Sequence, residues 1–485
     1  MDIMFVTTEI SPFVKVGGLA DVSAALPKAL RTLGHSVTVV LPRFPWLEAD
    51  GLLLARRLTS VRFTLGERAF EATVYDGRLA SQVDLVVVDV PGLFDRAGVY
   101  GERGEGYPDN AVRFAAFGRA AAELARQRAL AGRPVDVVHC NDWPTALVPT
   151  YLRALSQETP ALAVSRTVLT IHNVAHQGVF PKEDLLSVGL GWDAFRVAGI
   201  EFYGGINLLK QGIVTADAVT TVSPTYAREI QSERYGARLD GVLRERGEAL
   251  VGIVNGVDYA VWNPATDPAL VARYDAEDFA NKARSKGPLQ KEIGLQLDSE
   301  APLVAFVGRL VEQKGADLVL AMIPKLLRAT DAQVVIAGDG DPAIVAAIDA
   351  AVSKHKGQVV FARAASEQFV HRMFAAADAV LVPSRYEPCG LVQMYAQRYG
   401  ALPVAHATGG LVDTIVDCDA KLETGTGFLF TEPTAAALLG ATERAIAARS
   451  LPAWPALVRR VMRLDRGWDG PARRYEQIYR ALRPR

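Results

Sequence analysis

Short runs of apolar, mostly β-branched residues recur along the chain, each followed by a stretch with helical spacing. DIMFVTT (2–8), SVTVVLP (36–42), DLVVVDV (84–90), VDVVHC (135–140), TVLTIHN (167–173) and AVTTVS (218–223) are close to continuous in hydrophobicity. A strand covered on one face alternates, whereas one covered on both faces does not. These runs therefore predict parallel strands packed between helices. DVSAALPKALRTLG (21–34) and NAVRFAAFGRAAAELARQRAL (110–130) supply two of the helices. One stretch, VRFTLGERAFEATVYDG (61–77), alternates regularly and predicts an antiparallel hairpin inserted in the series.

The pattern then starts again. PLVAFVG (302–308), AQVVIAGDG (332–340), GQVVFA (357–362), DAVLVPS (378–384), LPVAHA (402–407) and GFLF (427–430) form a second series of strand candidates. Between the two lies VNGVDYAVWNPATDPALVARYDAEDFANKARSKG (254–287), rich in Asn, Asp, Pro and Gly. The expectation is α/β throughout: two doubly wound, Rossmann-like domains facing each other across a cleft. The expected bounds are 1–255, 256–455 and a helical tail, 456–485, packing back on the first domain. The tail reads as an amphipathic helix broken at Gly467 to Pro471.

Bulk properties narrow the chemistry. At 485 residues the chain exceeds one ordinary core. Its formal net charge of −1 provides no global field for nucleic acid or anionic lipid, so an anionic ligand must be held by local charge. No apolar run is long enough for a membrane span and no signal peptide is expected. The three cysteines, Cys140, Cys389 and Cys418, have no CxxC spacing. They argue against a disulfide framework or a zinc site and fit the reducing cytoplasm.

In an open α/β sheet, ligands bind beyond the carboxyl ends of strands. EISPFVKVGGLADV (9–22) occupies such a place: Gly17 and Gly18 lack Cβ atoms, the following helix offers its positive end, and Lys15 adds a full charge. A tight turn with an exposed lysine explains these letters equally well. The second series repeats the arrangement. FVGRLVEQKGADLVL (306–320) puts Arg309 and Lys314 between strand and helix, VPSRYEPCGLVQMYA (382–396) puts Glu387 and a Pro-Cys-Gly turn at another strand end, and HATGGLVDTI (406–415) adds a second glycine pair.

KVGGLADV, VGRLVEQKG, SRYEPCGLVQMYA and TGGLVDTI, in this order, resemble the bacterial glycogen synthases, as do YPDNAVRF, TIHNVAHQG, TVSPTYAREI, VNGVDYAVWNP and the closing RGWDGPARRYEQIYRAL. The resemblance runs from residue 1 into the tail. It implies the GT-B fold, and transfer of glucose from ADP-glucose to the non-reducing end of an α-1,4-glucan with retention at the anomeric carbon. It implies no metal and no other cofactor, a glucan acceptor mostly on the first domain, and the nucleotide sugar mostly on the second. UDP-glucose, or a different acceptor, is the alternative. By position, Lys15, Gly17, Gly18, Asp21 and Asn255 resemble donor-binding residues, as do Cys389, Gly390, Leu391, Thr408 and Gly409. Arg309 and Lys314 resemble the cations on the leaving diphosphate. Glu387 resembles the carboxylate that orients the glucose, His172 the residue by the anomeric carbon, and Asp142 a carboxylate needed nearby. Glu9 is an acceptor-side candidate. Without the resemblance, His172 reads as a satisfied histidine at a strand end and Asp142 as a helix cap.

The chain departs from the family pattern. Asn141-Asp142-Trp143-Pro144 stands where the family often has His-Asp-Trp-His, Ala365 where an adenine-stacking tyrosine is expected, and Val392 where a hydroxyl residue follows the turn. Tyr395 stands where many related transferases carry a second glutamate, which argues against sucrose or trehalose chemistry. Two rivals are weighed. VVIAGDGDPA fits a dinucleotide fingerprint at Gly338, Gly340 and Ala343, but the next strand ends on Arg363 where that motif wants an acid. A non-catalytic scaffold with this fold should have lost some of Lys15, Arg309, Lys314 and Glu387, and all four are present. The triplets Asp339-Gly-Asp341 and Asp417-Cys-Asp419 match a metal-binding DxD only as short strings.

Overall fold

The apolar runs of the first half pair side by side as parallel strands, in the order Leu250–Gly252, Ala218–Thr221, Arg166–Ile171, Val137–Asn141, Asp2–Val6, Ser36–Pro42 and Asp84–Asp89. The computed structural model describes residues 1–48, 51–102 and 104–482. The alternating stretch is antiparallel: Val61–Leu65 pairs with Arg68–Arg78, which extends the sheet at Asp84–Asp89. Val61, Phe63 and Leu65 are buried while Arg62 and Thr64 between them are exposed, the signature of a strand covered on one face. In the second half the order is Val359–Arg363, Gln333–Gly338, Leu303–Val307, Ala379–Val382, Leu402–His406 and Phe428–Phe430, all parallel.

Both sheets reverse their strand order beside their first strand. The reversal falls between Asp2–Val6 and Val137–Asn141 in one sheet, and between Leu303–Val307 and Ala379–Val382 in the other. Because each crossover is right-handed, the helices leaving these adjacent strands go to opposite faces. The loops at the carboxyl ends separate and leave a crevice there.

The chain divides into two compact units, one of residues Met1–Gly256 with the segment from Trp468 onward, the other of Val257–Gly467. The tail is split at this division. The helix Trp454–Met462 buries Leu457, Val458, Val461 and Met462 in the second unit. The helix Asp469–Leu482 belongs to the first unit and buries Ala472, Tyr475 and Tyr479, a single stripe at helical spacing. The break expected at Gly467 to Pro471 lies instead between Arg463 and Trp468, and Gly470 and Pro471 open the next helix. Proline is tolerated in a first helical turn because its missing N–H would have had no partner there.

This last helix is tied to the parallel sheet through a buried polar chain. The Tyr479 hydroxyl lies 2.6 Å from His139 Nδ1, His139 Nε2 lies 2.6 Å from Thr170 Oγ1, and Thr170 Oγ1 lies 2.7 Å from Thr220 Oγ1. A neutral imidazole satisfies this chain by donating at one nitrogen and accepting at the other. Burial, and secondarily the neighbouring His172, push the His139 pKa down to about 3.

A pH dependence follows. Below about pH 6.5 the unfolded chain takes a proton at this residue that the folded chain refuses, so the His139 contribution falls by about 1.4 kcal/mol for each pH unit lost. Urea unfolding of wild type and His139→Gln from neutral to mildly acidic pH checks this. The stability of wild type minus that of the variant should fall with that slope, and a flat difference would contradict it.

Candidate functional site

The first strand, Asp2–Val6, runs into Thr7-Thr8-Glu9, and Glu9 is buried. Its Oε2 accepts the backbone N–H groups of Val16 and Gly17, each at 2.8 Å, and its Oε1 accepts the Tyr100 hydroxyl at 2.7 Å. Glu9 thus anchors the loop that carries Lys15, Gly17 and Gly18. Burial raises its pKa above the ordinary carboxylate value, against the opposing effect of the three bonds it accepts. Tyr100 is itself held from below. Its carbonyl accepts Asn110 Nδ2 at 2.8 Å, and the fully buried Arg113 donates to the carbonyls of Leu93 and Val99 at 2.6 and 3.1 Å. The helix Gly18–Thr32 begins at the glycine pair, with Gly17 as its cap residue and no side chain capping it. Lys15 Nζ pairs with Asp21 Oδ1 at 2.8 Å across that first turn.

On the other side of the reversal, Val137–Asn141 ends at Asp142, whose backbone takes a positive φ of 56°. Left-handed backbone outside glycine is costly and concentrates at working sites. Asp142 Oδ1 accepts the His172 backbone N–H at 2.7 Å. Burial pushes the Asp142 pKa up to about 7, aided by the charge of Glu9 and opposed by the amides of His172 and Asn173. His172 is held neutral, its pKa pushed down to about 3 by burial. Its Nε2 lies 3.0 Å from Asn141 Oδ1. An open cavity of about 560 Å³ adjoins this point and is lined by Trp143, His176, Gln177, Gly178 and Arg238, among others. Asn255, at the end of this unit, is buried, and its Oδ1 has no partner among the described residues.

In the second unit the reversal carries a cation–carboxylate cluster. Lys314 Nζ lies 2.6 Å from Glu387 Oε2, which also accepts the Ser384 hydroxyl at 2.8 Å. Glu387 is buried, and Lys314 keeps about a quarter of its side chain exposed, 24%. Arg309, on the same strand-to-helix connection as Lys314, is exposed and donates to Gln313 Oε1 at 3.4 Å. The Cys389-Gly390-Leu391 turn leads into the helix Val392–Arg398, and Gln393 Nε2 closes it by donating to the carbonyls of Cys389 and Gly390 at 3.1 and 2.9 Å. Thr408 caps the helix Gly409–Thr414 by position. The Gly410 N–H donates to the Glu387 carbonyl at 3.0 Å, which ties the two loops together.

The remaining strings have local explanations. A Cβ on Gly338 would lie 2.0 Å from the Gly308 carbonyl oxygen, and one on Gly340 2.5 Å from that of Leu310. Those glycines let two strand ends touch, and Arg363 bonds Asp339, so the dinucleotide reading has no support. Asp341 caps the helix Pro342–Lys354, Asp417 pairs with Arg444, and Asp419 binds the backbone of its own turn. Tyr395 stacks on Trp262 at 3.9 Å and 9° inside the second unit. Tyr100 and Ser384 were not anticipated from the sequence, and Asn141 figured there only as a departure from the family pattern. Ser384 lies three residues from Glu387 and could have been found by proximity, but Tyr100 is separated from Glu9 by 91 positions, and no spacing rule connects them.

Two glycines should behave oppositely. A Cβ on Gly17 meets nothing within 4 Å and its φ of −150° suits any residue, whereas a Cβ on Gly410 would lie 2.2 Å from the Cys389 carbonyl oxygen. Gly17→Ala should melt within about 1 °C of wild type, while Gly410→Ala loses several degrees or fails to fold, since overpacking costs about 1–3 kcal/mol or more. Differential scanning fluorimetry of both decides it.

Residues 2–245 match the family described as the starch synthase catalytic domain, and residues 290–453 match glycosyl transferases group 1. A glycogen synthase of Anaeromyxobacter dehalogenans is 46% identical over 486 residues, covering all of both chains. One of Marinobacter nauticus is 44% identical, covering 99% of this chain and 97% of its own. Among solved structures, the catalytic domain of starch synthase IV from Arabidopsis thaliana, bound to ADP and acarbose, superposes with a TM-score of 0.91 at 33% identity, covering 99% of each chain. A sucrose-phosphate synthase from Thermosynechococcus elongatus, covering 99% of this chain and 98% of its own, shares the fold with a TM-score of 0.61 at 19% identity. Two doubly wound α/β units with these matches make the fold GT-B. The chain belongs to the glycogen synthase family of glycosyltransferases.

Proposed function

We propose that this chain transfers glucose from ADP-glucose to the non-reducing end of an α-1,4-glucan, with retention at the anomeric carbon, in glycogen synthesis in the cytoplasm. The observation that carries the reading is the Lys314–Glu387–Ser384 cluster at the order reversal of the second sheet, with Arg309 exposed beside it. Departure of a nucleoside diphosphate builds negative charge, and fixed cations in a drying site stabilise that charge. In this reading Arg309 and Lys314 receive the diphosphate. Glu387, oriented by Lys314 and Ser384, accepts glucose hydroxyls. The loops Cys389–Leu391 and Thr408–Gly409 bring backbone to the sugar and phosphates.

The first unit has roles of its own in this reading. Lys15 exchanges part of its Asp21 pairing for the donor, and the open space at Gly17 lets an anion approach the start of the helix Gly18–Thr32, beyond the Val16 and Gly17 amides that Glu9 holds. Asn255, buried and with its Oδ1 lacking a partner among the described residues, stands on the donor side in this reading. Asp142 holds His172 through its backbone N–H and places a carboxylate where positive charge grows on an oxocarbenium-like sugar. Glu9 holds the Lys15 loop, and its part in binding acceptor is secondary. Retention then proceeds by front-face attack, in which the leaving phosphate takes the acceptor's proton. The neutral His172 and the amide-bound Asp142 suit stabilising roles rather than nucleophilic ones. The ADP-bound starch synthase neighbour supports the adenine donor, with UDP-glucose as the alternative the assay must weigh.

The deciding assay compares ADP-glucose with UDP-glucose on glycogen. Wild type should prefer ADP-glucose, and Arg309→Ala, Lys314→Ala and Glu387→Ala should each lose about 10²–10³ in kcat, with smaller changes in KM. Wild type that transfers from neither donor ends the reading. A covalent glucosyl-enzyme on Asp142 or Glu387, trapped and seen by mass spectrometry, ends the front-face mechanism.

The pH profile offers a second check. The Asp142 carboxyl, pushed up to about 7, loses its charge as the medium acidifies. The kcat/KM of wild type should therefore fall on the acid side with a limb near that value, because only the ionised carboxylate steadies positive charge. Asp142→Asn should be slow at every pH and lack the limb, and a limb that persists in the variant belongs to another group.

A further inference from the structure

Asn141 is completely buried at the carboxyl end of Val137–Asn141, between the first strand and His172. Its Nδ2 lies 3.0 Å from the carbonyl oxygen of Val6, and its Oδ1 lies 3.0 Å from His172 Nε2. A carbonyl oxygen can only accept, so the amide nitrogen must face Val6 and the amide oxygen must face the imidazole. An amide oxygen also can only accept, so the hydrogen of the imidazole must sit on Nε2. Two fixed acceptors, Val6 oxygen and Asn141 oxygen, thereby decide a proton position that a histidine alone leaves open. The depressed pKa of His172 agrees with a neutral ring. Its charged and titratable neighbours are Asp142, which accepts its backbone N–H, and His139, with Glu9 acting on Asp142 in turn.

We infer that Asn141 is a positioning residue that locks His172 as the Nε2–H tautomer, leaving Nδ1 a pure acceptor. Nδ1 has no hydrogen-bond partner among the described residues, and His172 is only partly buried. A bare imidazole nitrogen repels the oxygens of a dianionic phosphate and receives an O–H. The group that His172 takes is therefore a sugar hydroxyl, and the diphosphate is left to the cations. The inference rests on the reading of this site as glucosyl-transferring, and it belongs to this chain's own letters, since Asn141 stands where the family pattern often has histidine.

The test is spectroscopic and kinetic. In full-length protein labelled with ¹⁵N-histidine, the His172 signal is the one missing from His172→Gln. Its Nε2 should be pyrrole-like and its Nδ1 pyridine-like, unchanged from pH 5.5 to 8. Asn141→Asp keeps an acceptor at the same point, so the tautomer should persist while the added negative charge moves ring protonation to higher pH. Asn141→Leu removes the acceptor. The tautomers should then mix and kcat should fall roughly tenfold at nearly constant donor KM, the worth of one hydrogen bond made at the reacting sugar. An Nδ1–H or doubly protonated ring in wild type at neutral pH overturns the inference, as does an unchanged tautomer and kcat in Asn141→Leu. Wild type that shows the expected tautomer but transfers no glucose would refute the functional reading and leave the tautomer assignment standing.

Discussion

The order reversal in each parallel sheet is the constraint on which the candidate site depends. A right-handed crossover can put a helix on only one face, so two adjacent strands whose chains leave in opposite directions must open a gap between their loops. Glu9 and the Lys15 loop follow one strand of the first gap, and Asp142 follows the other. Arg309 and Lys314 follow one strand of the second gap, and Ser384 and Glu387 the other. In both units, backbone topology brings together residues far apart in the sequence, 73 positions for Lys314 and Glu387, before any side chain contributes.

Within those gaps charge is arranged to be given up or kept. Lys15 and Lys314 each face a carboxylate, Asp21 and Glu387, so each unit holds its cation in place without burying it unpaired. Glu9 and Asp142 are the reverse case, carboxylates held mainly by N–H and O–H donors rather than by a full positive charge. Burial therefore raises both, and their mutual repulsion adds to the effect on Asp142. The neutral His172 sits among these carboxyls in a polar region suited to a sugar, while the more accessible cations suit phosphate.

Supporting residues behind the site are as specific as those facing it. Arg113, fully buried and with no ion pair among the described residues, gives its donors to the main-chain carbonyls of Leu93 and Val99 and to Asn110 Oδ1, and burial pushes its pKa down to about 10. Tyr100 holds Glu9, and Glu9 holds the loop. Gly410 plays the corresponding part in the second unit, where its missing Cβ lets the Cys389 turn lie directly on the helix Gly409–Thr414.

Much of this was legible in the letters. Near-continuous apolar runs marked the strands because a strand covered on both faces has no polar side to display. The alternating 61–77 stretch declared its one exposed face, and the loop motifs fell at strand ends where an open sheet binds ligands. The bond of Tyr100 to Glu9, the stacking of Tyr395 on Trp262, the ring proton of His172 and the membership of the helix Trp454–Met462 in the second unit were not legible. The sequence by itself determined element type, strand direction and the residue types at each strand end, because periodicity and local sterics act over a few residues. Only the tertiary structure decided which of those residues meet and which are charged, because hydrogen-bond pairing and desolvation depend on neighbours that no local pattern names.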